Sequence, residues 1–185
     1  ASPRRQELLT QIGVRYRVDP VGIDETPKQN ELPIDYVVRL AAEKSAMCMC
    51  HKVDIGLPIL AADTTVVIGD LILGKPENKA HAETMLQQLS AKTHWVYTAI
   101  SLRSADGKHH QMLSETEVRF RAISAKEIQA YWQTGEPQGK AGGYAIQGLA
   151  SIFVESIKGS FSGVVGLPLF ETAQLLSTQG IKVIT

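Results

Sequence analysis

Cysteine is scarce in this chain of 185 residues. Only Cys48 and Cys50 occur, two apart in a stretch that reads as helix, where the geometry is poor for a mutual disulfide. A reduced, cytoplasmic compartment is therefore the expectation. Net charge is missing too: nineteen Lys and Arg balance nineteen Asp and Glu. Neither nucleic acid nor an anionic membrane is indicated as a partner, and any basic site must be local. The longest apolar runs, such as residues 59–62 and 164–170, fall far short of the roughly 20 residues that span a bilayer. No signal-peptide pattern is read in the opening residues. Repeats, low-complexity tracts and charge blocks are also lacking.

Familiar chemical signatures are missing as well. There is no G-x-G-x-x-G, so a Rossmann dinucleotide site is unsupported. Gly135-Glu136-Pro137-Gln138-Gly139-Lys140-Ala141 falls one residue short of a P-loop and has Ala where Ser or Thr is needed. Cys48-Met49-Cys50-His51 lacks a second cluster to complete a zinc site. Gly159-Ser160-Phe161-Ser162-Gly163 has no His–Asp pair to make it a nucleophile elbow. His109-His110, beside Gly107, reads as a solvated pair near a turn.

What is present is ordinary for a folded domain: 44% hydrophobic and 21% charged residues, in a length that fits one domain with a substantial core. Ser2 can N-cap a helix that Pro3 opens and Gly13 stops. A second helix starts at Pro33, with Tyr36, Val37, Leu40 and Ala41 at helical spacing. Residues 58–67 read as a buried strand carrying Asp63-Thr64-Thr65, and Gly69-Asp70 as a hairpin turn into 71–73. Asn78 caps a third helix, two β-like runs cover 95–103 and 112–123, and Ser124 to Glu127 has capping-box spacing. Residues 144–147 and 152–157 read as short strands, 168–177 as a helix and 181–184 as a last strand. Helices and hairpins together predict a mixed α/β or α+β fold rather than a strictly alternating parallel sheet.

Several residues stand out chemically. In Ser2-Pro3-Arg4-Arg5 two cations occupy a helix start that itself attracts anions. A bound phosphate would resolve that conflict; the alternative is a pair of solvated arginines, held by carboxylates such as Glu7. Asp63 follows four apolar residues, and a carboxylate there is costly to bury unless a metal, lysine or hydroxyl satisfies it. It reads either as a general base or Mg²⁺ ligand at a strand end, or as a strand-terminal turn cap. Lys75 is set between Gly74 and Pro76, which restrict its direction. Lys44 alone reads as surface, and Asp24-Glu25 as an acidic turn that can also supply metal ligands. In Lys140-Ala141-Gly142-Gly143-Tyr144-Ala145-Ile146-Gln147-Gly148 the glycines permit close backbone approach. There Gln147 either meets a base edge or faces water.

Taken together and in order, these segments resemble the Maf family of nucleoside triphosphate pyrophosphatases. The similarity runs through Ser2-Pro3-Arg4-Arg5, Asp24-Glu25, Arg39-Leu40-Ala41 with Lys44, Ala62-Asp63-Thr64, Gly74-Lys75-Pro76, Ala141-Gly142-Gly143-Tyr144 with Gln147-Gly148, and Val165-Gly166-Leu167-Pro168. The resemblance implies a single domain over residues 1–185, an elongated, two-lobed Maf/ITPase-like fold with a central cleft, often dimeric. It implies Mg²⁺- or Mn²⁺-dependent cleavage of a nucleoside triphosphate to monophosphate and pyrophosphate. Thr64 and Gln147 look like the branch preferring dTTP and UTP; the branch acting on 7-methyl-GTP carries Asp-Gln and Glu at those places. On this reading Ser2, Arg4, Arg5, Lys44 and Lys75 hold the phosphates and Asp63 activates water. Glu25 and Asp63 hold the metal, and Arg4, Thr64 and Gln147 select the base. Rivals are a purine-type (ITP or 7-methyl-GTP) pyrophosphatase and a non-catalytic nucleotide-binding regulator of septum formation. The family's opening strand and Ser-x-Ser-Pro-Arg-Arg are matched only from Ser2 onward. A chain lacking that strand and first serine is expected to leave one edge of the triphosphate site incomplete.

Overall fold

The computed structural model describes residues 2–51 and 56–183. Along them run α1 (Pro3–Gln11), α2 (Pro33–His51), β1 (Ile59–Ile68), β2 (Leu71–Leu73), α3 (Lys79–Leu89), β3 (Thr93–Arg103), β4 (His109–Phe120), α4 (Ala125–Gln133), β5 (Val154–Lys158), α5 (Phe161–Val165) and α6 (Leu169–Ser177). The fold is mixed α/β, and the five strands form one antiparallel sheet in the order β2-β1-β3-β4-β5.

Local chemistry accounts for most element ends. Gly69 takes a positive φ of 58° in the turn between β1 and β2, a conformation that favours glycine. Asn78 accepts from the His81 N–H at the start of α3. Ser124 and Glu127 complete a reciprocal capping box at α4, a cap worth about 1 kcal/mol. Ser2 occupies the N-cap position of α1 with extended backbone, but its hydroxyl makes no capping bond; Pro3 supplies the start instead.

The two faces of the sheet differ because side chains alternate along each strand. On one face Asp63, Ala99 and Leu113 lie side by side across β1, β3 and β4. Here α2 covers the sheet, its Val37 and Ala41 packing on Ala99. On the other face Ala62, Val66, Val96, Ile100, Val118 and Phe120 join the main core with residues of α1, α3, α4 and α6. The short β2 pairs only with Val66 to Ile68, so among the described residues no strand flanks 59–65 of β1 on the side away from β3. That open edge positions the site.

Three expected strands differ from the structure. Residues 144–147 form no strand. Their apolar side chains are buried, but Gly142 and Gly143, with φ of 67° and 69°, turn the backbone out of sheet geometry. The Ala145 N–H is then taken by the Tyr131 hydroxyl at 3.2 Å. The run 152–157 begins as a 3₁₀ turn, Leu149–Phe153, before β5. Residues 181–183 are irregular: the Ile181 N–H closes back on the Leu176 carbonyl at 3.1 Å, and among the described residues no strand is paired with them. Ile184 lies outside the described residues. His109 and His110, both exposed, open β4 just after the Gly107 turn, and His109 Nε2 meets the Ser101 hydroxyl at 2.8 Å.

Candidate active site

Five cationic side chains, Arg4, Arg5, Lys44, Lys75 and Lys140, line one cleft of about 860 Å³ together with Ser2, Glu25, Asp63, Thr64 and Gln147. The volume falls in the range of small-molecule sites. Residues spread from position 2 to position 147 thus share one opening along the free edge of β1.

At its centre is a carboxylate–ammonium cluster. Lys44 follows Leu40 by one helical turn, at the margin of the buried stripe of α2, which aims its stem at β1. Its Nζ lies 2.6 Å from Asp63 Oδ1 and 2.6 Å from Glu25 Oε1. Lys75 Nζ approaches Glu25 Oε2 at 3.7 Å. Asp63 is 8% exposed. Burial raises its pKa above the ordinary carboxylate value, although Lys44 and Arg5 pull the other way. Burial also penalises Glu25, but bonds and charges from Lys44 and Lys75 outweigh it and hold that carboxyl low.

Glu25 belongs to an irregular segment that α2 anchors. The Tyr36 hydroxyl donates to the Glu25 carbonyl at 2.9 Å. Arg39 grips both carboxylate oxygens of Glu31, at 2.5 and 2.7 Å, and reaches the Thr26 carbonyl at 3.2 Å. Those bonds hold the Glu31 carboxyl down to about 2.

Asp63 and Thr64 are neighbours in sequence but face opposite sides of the sheet. Thr64 joins a different network, centred on Arg5. The Arg5 guanidinium donates from Nε to the Gly166 carbonyl (2.7 Å), from Nη1 to the Ala62 carbonyl (2.6 Å) and from Nη2 to Thr64 Oγ1 (3.2 Å). Arg5 therefore closes the unpaired edge of β1, using carbonyls rather than Glu7. Burial lowers its pKa, with Asp63 opposing that effect. Thr98 Oγ1 gives its one proton to the Gly163 carbonyl at 2.8 Å. Thr64 must then be the donor in the 2.9 Å contact between the two threonine hydroxyls. The Thr64 proton is thereby spent, and one of its lone pairs accepts from Arg5. The helix α5, whose Ser160 caps Gly163 N–H at 3.0 Å, supplies the platform for this network.

The Arg4 side chain makes no hydrogen bond or ion pair among the described residues and lines the cleft. The exposed side-chain amide of Gln147 is likewise without a protein partner. Lys140 was not singled out as a site residue, although the glycine-rich run contains it. Its Nζ donates to the Glu136 carbonyl at 2.6 Å, and burial, with Arg4 nearby, lowers its pKa. Arg15 and Arg17 also line the cleft; nothing in their local sequence marks them.

Among the described residues no group of three His, Cys, Asp or Glu side chains converges as a metal cage. Asp63 and Glu25 nevertheless share one ammonium, so their nearest oxygens stand no more than twice 2.6 Å apart. Two carboxylates beside a cation-lined cleft are a donor set that could hold Mg²⁺ or Mn²⁺, since such ions are commonly bound by one or two carboxylates plus phosphate oxygens of a ligand.

An acid buried beside a lysine, in a cation-lined cleft of a mixed α/β fold, defines a protein built to handle a polyanion. Comparison narrows the class. The model of the Maf family, described as Maf-like protein, matches residues 1–179, and the chain belongs to that family. It is 51% identical to the dTTP/UTP pyrophosphatase of Nitrosomonas europaea, over 98% of this chain and 93% of the relative. It is 50% identical to the dTTP/UTP pyrophosphatase of Methylobacillus flagellatus, over 98% and 91%. A third dTTP/UTP pyrophosphatase, from Pseudoalteromonas atlantica, is 50% identical over 97% and 94%.

Proposed function

We propose that the chain hydrolyses dTTP and UTP to the monophosphate and pyrophosphate. The observation that carries this reading is Asp63: a buried carboxylate with a raised pKa, in contact with Lys44, in a cleft otherwise dominated by cations. Phosphate binding alone gains nothing from a negative group there. A base that must take a proton from water does.

The water oxygen attacks the α-phosphorus and forms a new P–O bond. The bond from that phosphorus to the bridging oxygen of the β-phosphate breaks, and pyrophosphate leaves. Asp63 takes the proton that the water gives up. Burial makes its ionised form a stronger base than an exposed aspartate. Lys44, released from Glu25 by the more densely charged triphosphate, and Arg4 and Lys75 offset the charge that repels attack. Arg5, with three of its N–H bonds already committed, fixes the site's edge and adds its charge at short range. Ser2 lies at the opening helix turn, where backbone N–H groups favour anions. Asp63 and Glu25 are the residues to hold Mg²⁺ or Mn²⁺, which supplies charge neutralisation across the phosphates when bound. Gln147, with an unpaired donor and acceptor, meets the base; Thr64 acts on that choice through Arg5, and Arg4 contributes to it. A homodimer working in the cytoplasm belongs to the same reading.

A panel of UTP, dTTP, ITP and 7-methyl-GTP with Mg²⁺ or Mn²⁺, assayed for monophosphate and pyrophosphate, tests the assignment. UTP and dTTP are expected to lead by kcat/KM. Preference for ITP or 7-methyl-GTP would overturn the base assignment, and tight binding without turnover would overturn the enzymatic one.

A further inference from the structure

Behind the Gln147 loop lies an anchor that takes no part in the chemistry above. Glu136 follows α4 and lies outside the cleft lining. Its carboxylate accepts three hydrogen bonds: from the Tyr131 hydroxyl at 2.7 Å, the Leu149 N–H at 2.9 Å and the Ala150 N–H at 3.1 Å. The Tyr131 hydroxyl in turn accepts the Ala145 N–H at 3.2 Å. The chain is thus held two residues before Gln147 and again two and three residues after it. Lys140, at the start of the same loop, donates to the Glu136 carbonyl.

Gly148 completes the arrangement. A Cβ at this position would overlap the Glu136 carboxylate, so glycine is what lets that carboxylate keep its bonds. Three donors converge on Glu136, and a group with two acceptor oxygens and no donor answers all of them. Glutamine would turn an NH₂ towards a neighbouring N–H or phenol. Burial opposes the Glu136 charge, but the bonds from Leu149, Tyr131 and Ala150 prevail and hold the carboxyl below its usual range.

We propose that Glu136 is a positioning residue for base selection: with Tyr131 it fixes the backbone on both sides of Gln147, and so fixes where the Gln147 amide stands. This rests on the reading of Gln147 as the group that meets the base. An exposed side-chain amide discriminates donor and acceptor edges only if its backbone is held to about half an ångström.

The test is a double-mutant cycle read on specificity. Glu136→Gln, Tyr131→Phe and Gln147→Ala are assayed singly, and each of the first two is combined with Gln147→Ala, using UTP, ITP and 7-methyl-GTP, with thermal melts alongside. Glu136→Gln and Tyr131→Phe should each lower the kcat/KM ratio of UTP to ITP by about tenfold, with kcat for UTP changed much less. In the Gln147→Ala background neither should lower the ratio further. An equal fall for every substrate, or a loss of ratio that persists without Gln147, overturns the proposal. If Glu136→Gln does not fold, Tyr131→Phe decides: a parental ratio overturns the proposal. Failure of the underlying reading looks different, because Gln147→Ala alone would then leave the parental ranking unchanged, and the proposal would fall with it.

Discussion

The two ends of the cleft are built on opposite plans. At the Asp63 end, Asp63 and Lys44 project from regular elements, β1 and α2, and meet at 2.6 Å, with Glu25 joining them from an irregular segment tied to α2. At the Gln147 end the group proposed to select the base sits on an irregular loop, and Glu136, proposed to position it, is spent on backbone N–H groups outside the cleft. The first end rests on ion pairs between side chains, the second on a carboxylate that binds loop backbone. The comparison teaches that turnover and selectivity should be separable: damage at one end should cost rate, damage at the other should cost choice.

The largest effect should come from Asp63→Asn. It removes the base but keeps the shape, and turnover of UTP should fall by about a thousandfold or more with the melting temperature little altered. Near-parental turnover in a pyrophosphate-release assay would dissolve the contrast between the ends.

Lys44→Met should lower kcat/KM by about a hundredfold, since it removes a phosphate cation and leaves Asp63 and Glu25 facing each other without it. It also carries a pH signature. The proposed reaction needs ionised Asp63, whose pKa burial already raises above 3.8, so activity should be lost as pH falls through that raised value. Without Lys44 the carboxyl loses its main opposing influence, and the acid limb of the kcat–pH profile should move further up. A limb that stays in place would show that Asp63 is not the titrating group.

Gln147→Glu sharpens the comparison from the other side. Its ratio of UTP to 7-methyl-GTP turnover should fall by about tenfold, while the acid limb stays where the parent has it. An unchanged ranking removes Gln147 from base recognition.

The smallest effect is expected from Arg39→Lys, which replaces a two-pronged grip on Glu31 by a single point charge. The segment carrying Glu25 should loosen, raising KM for the metal–nucleotide complex a fewfold with kcat nearly intact. A change confined to kcat would contradict the anchoring role.

Much of the framework was readable before folding, because the signals are local. Asn78, and Ser124 with Glu127, announce helix starts through side chains that reach only three residues. Val37, Leu40 and Ala41 declare the buried face of α2 by their spacing. The short strand expected at 144–147 failed for the same reason it was tempting: an apolar run reports burial, not hydrogen-bond partners. Tyr144 is buried by meeting His94 Nε2 at 2.9 Å and the edge of Phe120, not by joining the sheet. The helix α5 went unread because Ser160-Phe161-Ser162-Gly163 has too few residues to show a period.

The site divides the same way. Asp63, Lys44, Lys75 and Gln147 could be named from their neighbours and from the family resemblance, yet lysines such as Lys44 read as surface on their own. Arg5 shows the limit most clearly. Its place in the opening helix is legible, but its partners are Ala62, Thr64 and Gly166, the last 161 positions away. Residue type, spacing and capping chemistry were enough for most elements and for the candidate acid, since each depends on contacts within a turn or a strand. Which carboxylate shares which ammonium, which face of β1 each neighbour takes into the cleft, and which glutamate binds the backbone beyond Gln147 were settled only by folding. Those relations depend on sheet register and on packing between segments far apart in the chain, and no local pattern encodes them.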